Sequence, residues 1–189
     1  MALTLLTPPA AEPVALSDAR AHLRLDATEE DVLLGSLLTA ARMAIEAATR
    51  RAFLSQSWRL TLDDWPTQPV EIPLAPVFTI DAVKVATIGG SMLTIDPAFY
   101  EVDAASTPPR LAAKRGQAWP MPATRLAGIA IDFTAGYAAA ADVPAPLKQA
   151  ILMLAAHWFE NRTPVSFGAG AEFPAMVAAL IAPYRRFNL

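Results

Sequence analysis

The sequence predicts an α+β protein in which helices flank a small antiparallel β region, and three observations carry that prediction. From about residue 29 to 51 apolar residues recur at three- and four-residue spacing, the period of an amphipathic helix. At Gln56 the period changes to two, the mark of half-buried strands. After Val143-Pro-Ala-Pro146 it changes back to a helical one. A length of 189 residues indicates one domain, large enough to bury a core without disulfides or metals.

Taken in order, residues 7–16 carry Pro8, Pro9 and Pro13 and read as an extended lead-in. Ser17 is expected to cap a short helix over about 18–25. Thr28 is expected to cap a longer one over about 29–51, with Asp31 completing a capping-box-like start. Val32, Leu33, Leu37, Leu38, Ala41, Ile45 and Ala48 form its predicted apolar face. Its acidic start, Glu29 to Asp31, and basic end, Arg50-Arg51, suit the helix dipole, and Glu46 with Arg50 reads as an i,i+4 pair. Strands are expected at 58–63, 70–74, 80–85, 92–95, 99–102 and 129–133, forming one small antiparallel sheet across about 57–135. Gly89-Gly90 signals a hairpin, and Pro66, Pro69, Pro73 and Pro76 confine the early strands to edges or bulges. A central helix follows over about 146–161, with Leu147, Ile151, Leu154, Ala155 and Trp158 on one side. Then come a loop over 163–171, a last helix over 173–181 and a basic, aromatic tail, Tyr184-Arg-Arg-Phe-Asn-Leu189. The domain 1–189 is thus helical at 15–55 and 143–182, with the β region between and the tail at 183–189.

Hydrophobic residues make up 54% and charged residues 17%, a composition too apolar for global disorder. The surplus is mostly alanine, 40 residues, which suits close packing against copies or partners and equally a compact alanine-rich monomer. No run approaches the roughly 18 uncharged apolar residues of a membrane span, and Met1 to Pro9 does not read as a signal peptide. The absence of cysteine excludes disulfides and thiolate chemistry. A net charge of −3 lacks the basic footprint of a nucleic-acid binder.

Chemistry-bearing patterns are few. His22 and His157 stand 135 residues apart, neither in a metal-ligand spacing. His157-Trp-Phe-Glu-Asn-Arg162 reads as the amphipathic end of a core helix, with Arg162 near its carbonyl terminus. Gly89-Gly90 and Gly168-Ala-Gly170 lack the companions of a phosphate-binding loop. Asp63-Asp64 reads as a strand-end turn. Trp65-Pro66 and Trp119-Pro120 read as caps on a small sheet or, alternatively, an aromatic binding surface. No catalytic, metal-binding or cofactor-binding residue is assigned.

The distributed landmarks resemble a known family. They run from Thr7-Pro-Pro9, Glu12-Pro13 and Leu16-x-x-Ala-x-x-His-Leu23 through Ala40-Ala-Arg-x-x-x-Glu46-x-x-Thr49-x-Arg51. They continue with Tyr100-Glu-Val-Asp103, Trp119-Pro120, Phe133-Thr-Ala-Gly-Tyr137, Val143-Pro144 and Leu147-Lys-Gln-Ala-Ile151. Ala156-His-Trp-Phe-Glu-Asn-Arg162 and Pro183-Tyr-Arg185 complete the series. In order and spacing the chain resembles the long form of the head-tail connector, or adaptor, proteins of tailed bacteriophages, prophages and gene transfer agents.

That resemblance implies a helical-bundle core of about four helices with an inserted β region, and a structural virion component that is not an enzyme. It implies a ring, usually of twelve copies, below the portal protein, which extends the DNA channel and meets stopper or tail-terminator proteins. It also implies synthesis in the bacterial host cytoplasm, double-stranded DNA that passes without tight binding, no membrane and no cofactor. The expected portal-contacting residues are Tyr184, Arg185, Arg186 and Phe187, because Tyr and Arg are enriched in interface hot spots; the alternative is that Tyr184 and Phe187 pack back onto the domain. Two other readings remain: a small hydrolase or ligand-binding enzyme dependent on His157, and a nucleic-acid-binding module using Lys114-Arg115 and Arg185-Arg186.

Overall fold

The structure, a computed structural model, describes residues 1–161 and 173–185. The chain divides into two compact units, one built from 1–10 with 55–137 and the other from 11–54 with 138–189. The loop expected over 163–171 and the end of the tail lie outside the described residues.

The first unit is β. Its strands are β1 (Ala2–Thr7), β2 (Gln56–Leu62), β3 (Val70–Glu71), β4 (Val77–Ala86), β5 (Met92–Ile95), β6 (Tyr100–Asp103), β7 (Arg110–Ala113) and β8 (Ile129–Ala135). They form two antiparallel sheets, not the single sheet expected: a five-stranded one in the order β1-β2-β8-β4-β5 and a three-stranded one in the order β3-β7-β6. The alternation in β8 shows why the larger sheet forms. Ile129, Ile131 and Phe133 are fully buried, while Asp132 and Thr134, on the opposite face, are half-exposed. Leu60 stands opposite both Leu3 and Ile131, so one face of three adjacent strands is apolar. On the other face Arg59 stands opposite Asp132 and clamps it through two hydrogen bonds of 2.6 and 2.8 Å; Lys84 adds a third at 2.9 Å. The Arg59 hydrogen bond does most to hold the Asp132 carboxyl below the ordinary carboxylate range, against the opposing effect of burial.

Two strands differ from the sequence reading. β1 forms ahead of the extended lead-in, where the sequence reading assigned no element, because Ala-Leu-Thr-Leu-Leu-Thr finds its partner in β2, residues Ser57 to Thr61. β7, only four residues long, is held between β3 and β6. Proline marks the short strand β3, which ends at Glu71 and lies at a sheet edge as expected. The hairpin at Gly89-Gly90 forms, with Gly90 at a φ of 80°.

The second unit is helical: α1 (Leu16–Leu23), α2 (Asp31–Thr49), α3 (Ala145–Glu160) and α4 (Ala175–Ile181). α2 and α4 each pack on α3, and α1 touches both α2 and α3. The core comes from Leu34, Leu38, Ala41 and Ile45 of α2 and from Leu147, Ile151 and Leu154 of α3. Burying each leucine or isoleucine side chain contributes about 1.5–3 kcal/mol. Trp158, expected beside them, is half-exposed.

The helix starts need correction. α1 is capped from Ala15, which places Ser17 inside the helix, and α2 from Glu30 without a side-chain cap; Thr28 contributes only its carbonyl, to the Asp31 N–H. Val32 is 88% exposed, because the buried stripe runs through Leu34 and Leu38, and a residue two positions from Leu34 turns to the opposite side. α2 is long and apolar enough to cross a membrane by length and composition alone, yet it carries the buried stripe of a core helix.

Candidate interaction surfaces

α2 presents Thr39, Arg42 and Glu46 along one stripe, and this stripe holds the lead-in. Arg42 Nε donates to Glu12 Oε2 at 2.8 Å and its Nη1 to Glu46 Oε2 at 2.6 Å. Thr39 Oγ1 donates to the other Glu12 oxygen at 2.9 Å, and the Phe53 N–H donates to Glu46 Oε1 at 2.7 Å. Arg42 is 5% exposed. Burial works to lower its pKa, but the hydrogen bonds and charges of Glu12 and Glu46 prevail, so the guanidinium titrates above its ordinary value. The Glu46–Arg50 pair expected from spacing does not form: Glu46 turns inward to Arg42, and Arg50 sits beyond the last helical turn. The motif residues Glu12, Arg42 and Glu46 therefore form a structural clamp.

The residues expected to contact a partner lie at the C-terminal end of this unit. Tyr184 ends a short 3-10 turn over 182–184 and is half-buried, with the Arg51 guanidinium carbon 5.7 Å from its ring centroid. Arg185, also half-buried, lies 6.0 Å from the Phe173 ring, and its N–H donates to the Ile181 carbonyl at 3.2 Å. Arg186 and Phe187 lie outside the described residues. Sequence reasoning did not connect Arg51 and Phe173 with the tail, since nothing in their spacing signals contacts across the unit. The paired arginines closing α2 were the only available hint.

The other chemical candidates are dispersed. His22 is exposed on α1, and His157 is half-buried beside Asn161, whose Nδ2 donates to the His157 carbonyl at 2.9 Å. Among the described residues no group of three or more His, Asp or Glu side chains could hold a metal ion. Asp63 accepts the Ala127 N–H and Asp64 the Trp65 N–H, so both serve turns. Glu29 and Glu30 precede α2, and Asp31 reaches Arg20 at 3.6 Å. Trp65 and Trp119 stack at 4.1 Å with planes 6° apart, Tyr100 joins at 6.1 Å, and Trp65 Nε1 donates to the Pro120 carbonyl at 2.9 Å. This aromatic cluster staples loops to the small sheet. Lys114 and Arg115 are exposed on a turn, and Arg162, Gly168 and Gly170 lie outside the described residues. In the helical unit an open groove of about 490 Å³ runs between the lead-in and α3, lined by Pro13, Val14, Asp18, Ala141, Lys148 and Leu152 among others.

A structural reading agrees with what known proteins resemble this chain. The family of phage gp6-like head-tail connector proteins matches residues 13–89, a stretch that contains α1, α2 and the Arg42–Glu46 pair. No curated protein sequence matches the chain. Among solved structures, the chain is 32% identical to a chain from the virion of a native gene transfer agent particle, with a TM-score of 0.84. It is 33% identical, with a TM-score of 0.83, to one from the neck of an empty particle of that kind computed with C6 symmetry. A third, from the neck of a native particle computed with C12 symmetry, is 31% identical with a TM-score of 0.81. Each similarity covers 100% of this chain and 97% of the other. With a family model matching residues 13–89 and a relative of 32% identity matched over 97% of its length, the chain belongs to the phage gp6-like head-tail connector family.

Proposed function

We propose that this chain is a structural component of the neck of a phage-like particle, such as a gene transfer agent. There copies of it form a ring of twelve below the portal protein, continue the DNA channel and offer a platform to stopper or tail-terminator proteins. The observation that carries this reading is the end-to-end similarity to chains of gene transfer agent necks, one of them computed with twelvefold symmetry. A closed ring needs a heterologous interface, in which two different patches of each copy meet. The net charge of −3 is compatible with DNA that must slide, since each Lys or Arg contact to phosphate adds salt-dependent affinity. The helices of the second unit serve as the bundle that carries assembly, and Tyr184, Arg185, Arg186 and Phe187 dock onto the portal.

Electron microscopy of particles from a producer lacking this gene tests the reading. DNA-filled heads without tails are expected, with the ring density below the portal missing and restored on complementation. Complete necks in the deletion strain would overturn it. Removing residues 184–189 tests the docking role separately: the truncated chain should fold normally and fail to attach to heads.

A further inference from the structure

We infer that the outward stripe of α2, formed by Val32, Ser36, Ala40, Met43 and Ala47, is one of the two patches through which neighbouring copies of this chain meet in the ring. The inference gives the proposed assembly a surface and rests on that reading.

These five residues follow one another at intervals of four, four, three and four, so they share one side of the helix, and all are exposed. Val32 is 88% exposed and Met43 56%. Between Val32 and Thr49 the charged residues are Arg42 and Glu46, and both are buried and turned to each other on the inner side. The outer side therefore carries no charge before Arg50. Its hydroxyl, Ser36 Oγ, donates to the Leu33 carbonyl at 2.7 Å, so the stripe can leave water without stranding a polar group. A surface helix ordinarily carries polar or charged residues outward, and a helix that is apolar all round is ordinarily buried. α2 is apolar enough to cross a membrane, yet only 33% of its apolar stretch is buried inside the chain.

Three features make a second copy the occupant. A face without charge offers nothing to DNA phosphates, and an apolar composition of this kind is that of a permanent interface between identical chains. A chain 31% identical to this one, matched over 97% of its length, comes from a neck computed with C12 symmetry, in which every copy has a like neighbour on either side. The third feature is size. With 19 residues, α2 spans about 28 Å, and a face of that length and about 10 Å width covers on the order of 300 Å². Each partner of a stable free-standing pair contributes roughly 800 Å². The stripe thus suits copies that a common support already holds side by side, where a small contact is enough.

The test adds purified chains to tailless, DNA-filled heads from a producer lacking this gene and counts complete rings by electron microscopy. Wild type is expected to complete the ring. Val32→Glu combined with Met43→Glu sets two charges on the stripe. The double variant should melt within about 2 °C of wild type, because both side chains are exposed, and give at least about tenfold fewer complete rings. The chain has no cysteine, so Met43→Cys supplies a single thiol for a short photo-cross-linker. Mixed with excess wild type on the heads, the labelled chain should become joined to a second copy. Complete rings from the double variant at the wild-type frequency overturn the inference and leave the ring reading standing. Cross-links only to the portal, to another neck protein or within the same chain overturn it as well. So does a melting temperature lowered by more than about 5 °C, which would make the stripe part of the chain's own core. If wild type itself closes no ring on heads, the ring reading fails and takes this inference with it.

Discussion

Replacing Arg42 by methionine probes the clamp between the lead-in and α2. The substitution keeps an unbranched apolar stem but removes the guanidinium and both hydrogen bonds, to Glu12 at 2.8 Å and to Glu46 at 2.6 Å. The two carboxylates then fare differently. The Glu12 side chain is 27% exposed and can recover water, whereas that of Glu46 is 11% exposed and loses a charged partner at 2.6 Å while mostly buried. Breaking a buried pair from one side costs about 3–5 kcal/mol. For a chain of this size that lowers the melting temperature on the order of 10 °C. Glu46→Gln added to Arg42→Met removes the carboxylate's charge yet keeps an oxygen for the Phe53 N–H, so the double variant should recover about 2 kcal/mol. Urea unfolding at neutral pH, read by circular dichroism, measures both. A single variant within about 0.5 kcal/mol of wild type, or a double variant no more stable than the single, refutes the reasoning.

Asp132→Asn should cost about 1 kcal/mol at neutral pH and much less in acid. The carboxyl's folded pKa lies below its ordinary value, chiefly through Arg59, so its contribution is complete above about pH 4 and disappears as pH falls through the folded value; equal wild-type and variant pH profiles would contradict this. Gly128→Ala would place a Cβ 2.6 Å from that of Pro122 and 2.9 Å from the Thr124 carbonyl oxygen, and should destabilise by about 1–3 kcal/mol; a neutral result in a thermal melt would show that the loop yields. Val32→Glu should change stability by less than about 0.5 kcal/mol, because the side chain is 88% exposed; a large loss would restore Val32 to the core.

All four helices were legible in the sequence, α2 and α3 through apolar repeats that are local properties of the chain, α1 from the cap expected at Ser17 and α4 as a short segment ending at Pro183. Periodicity failed where pairing is distant. Nothing within Ala2–Thr7 announces a strand, because the residues that make it one, Ser57 to Thr61, lie elsewhere. The same limit applied to Glu46: spacing offers Arg42 and Arg50 equally, and only the inward direction of the stripe decides for Arg42. Val32 was misplaced because an apolar residue near a helix start fits more than one face. At the tail, residue types pointed to contact chemistry, but the pairing of Arg51 with Tyr184 depends on a fold that brings residues far apart in sequence together.

The position of β8 sets a schedule for the nascent chain. Its residues, 129–135, are the last of the β unit to leave the ribosome, yet β8 lies between β2 and β4. Until it arrives, β1-β2 and β4-β5 are two unconnected ladders, each marginal by itself. The helical unit must wait longer, because α2 meets α3 only after residue 145 has been made. Neither unit can therefore be completed while the first two-thirds of the chain emerges, and both reach closure within a short final stretch of synthesis. Apolar surface stays uncovered through most of translation, so an interrupted chain that ends before β8 should be handled by the cell as unfolded.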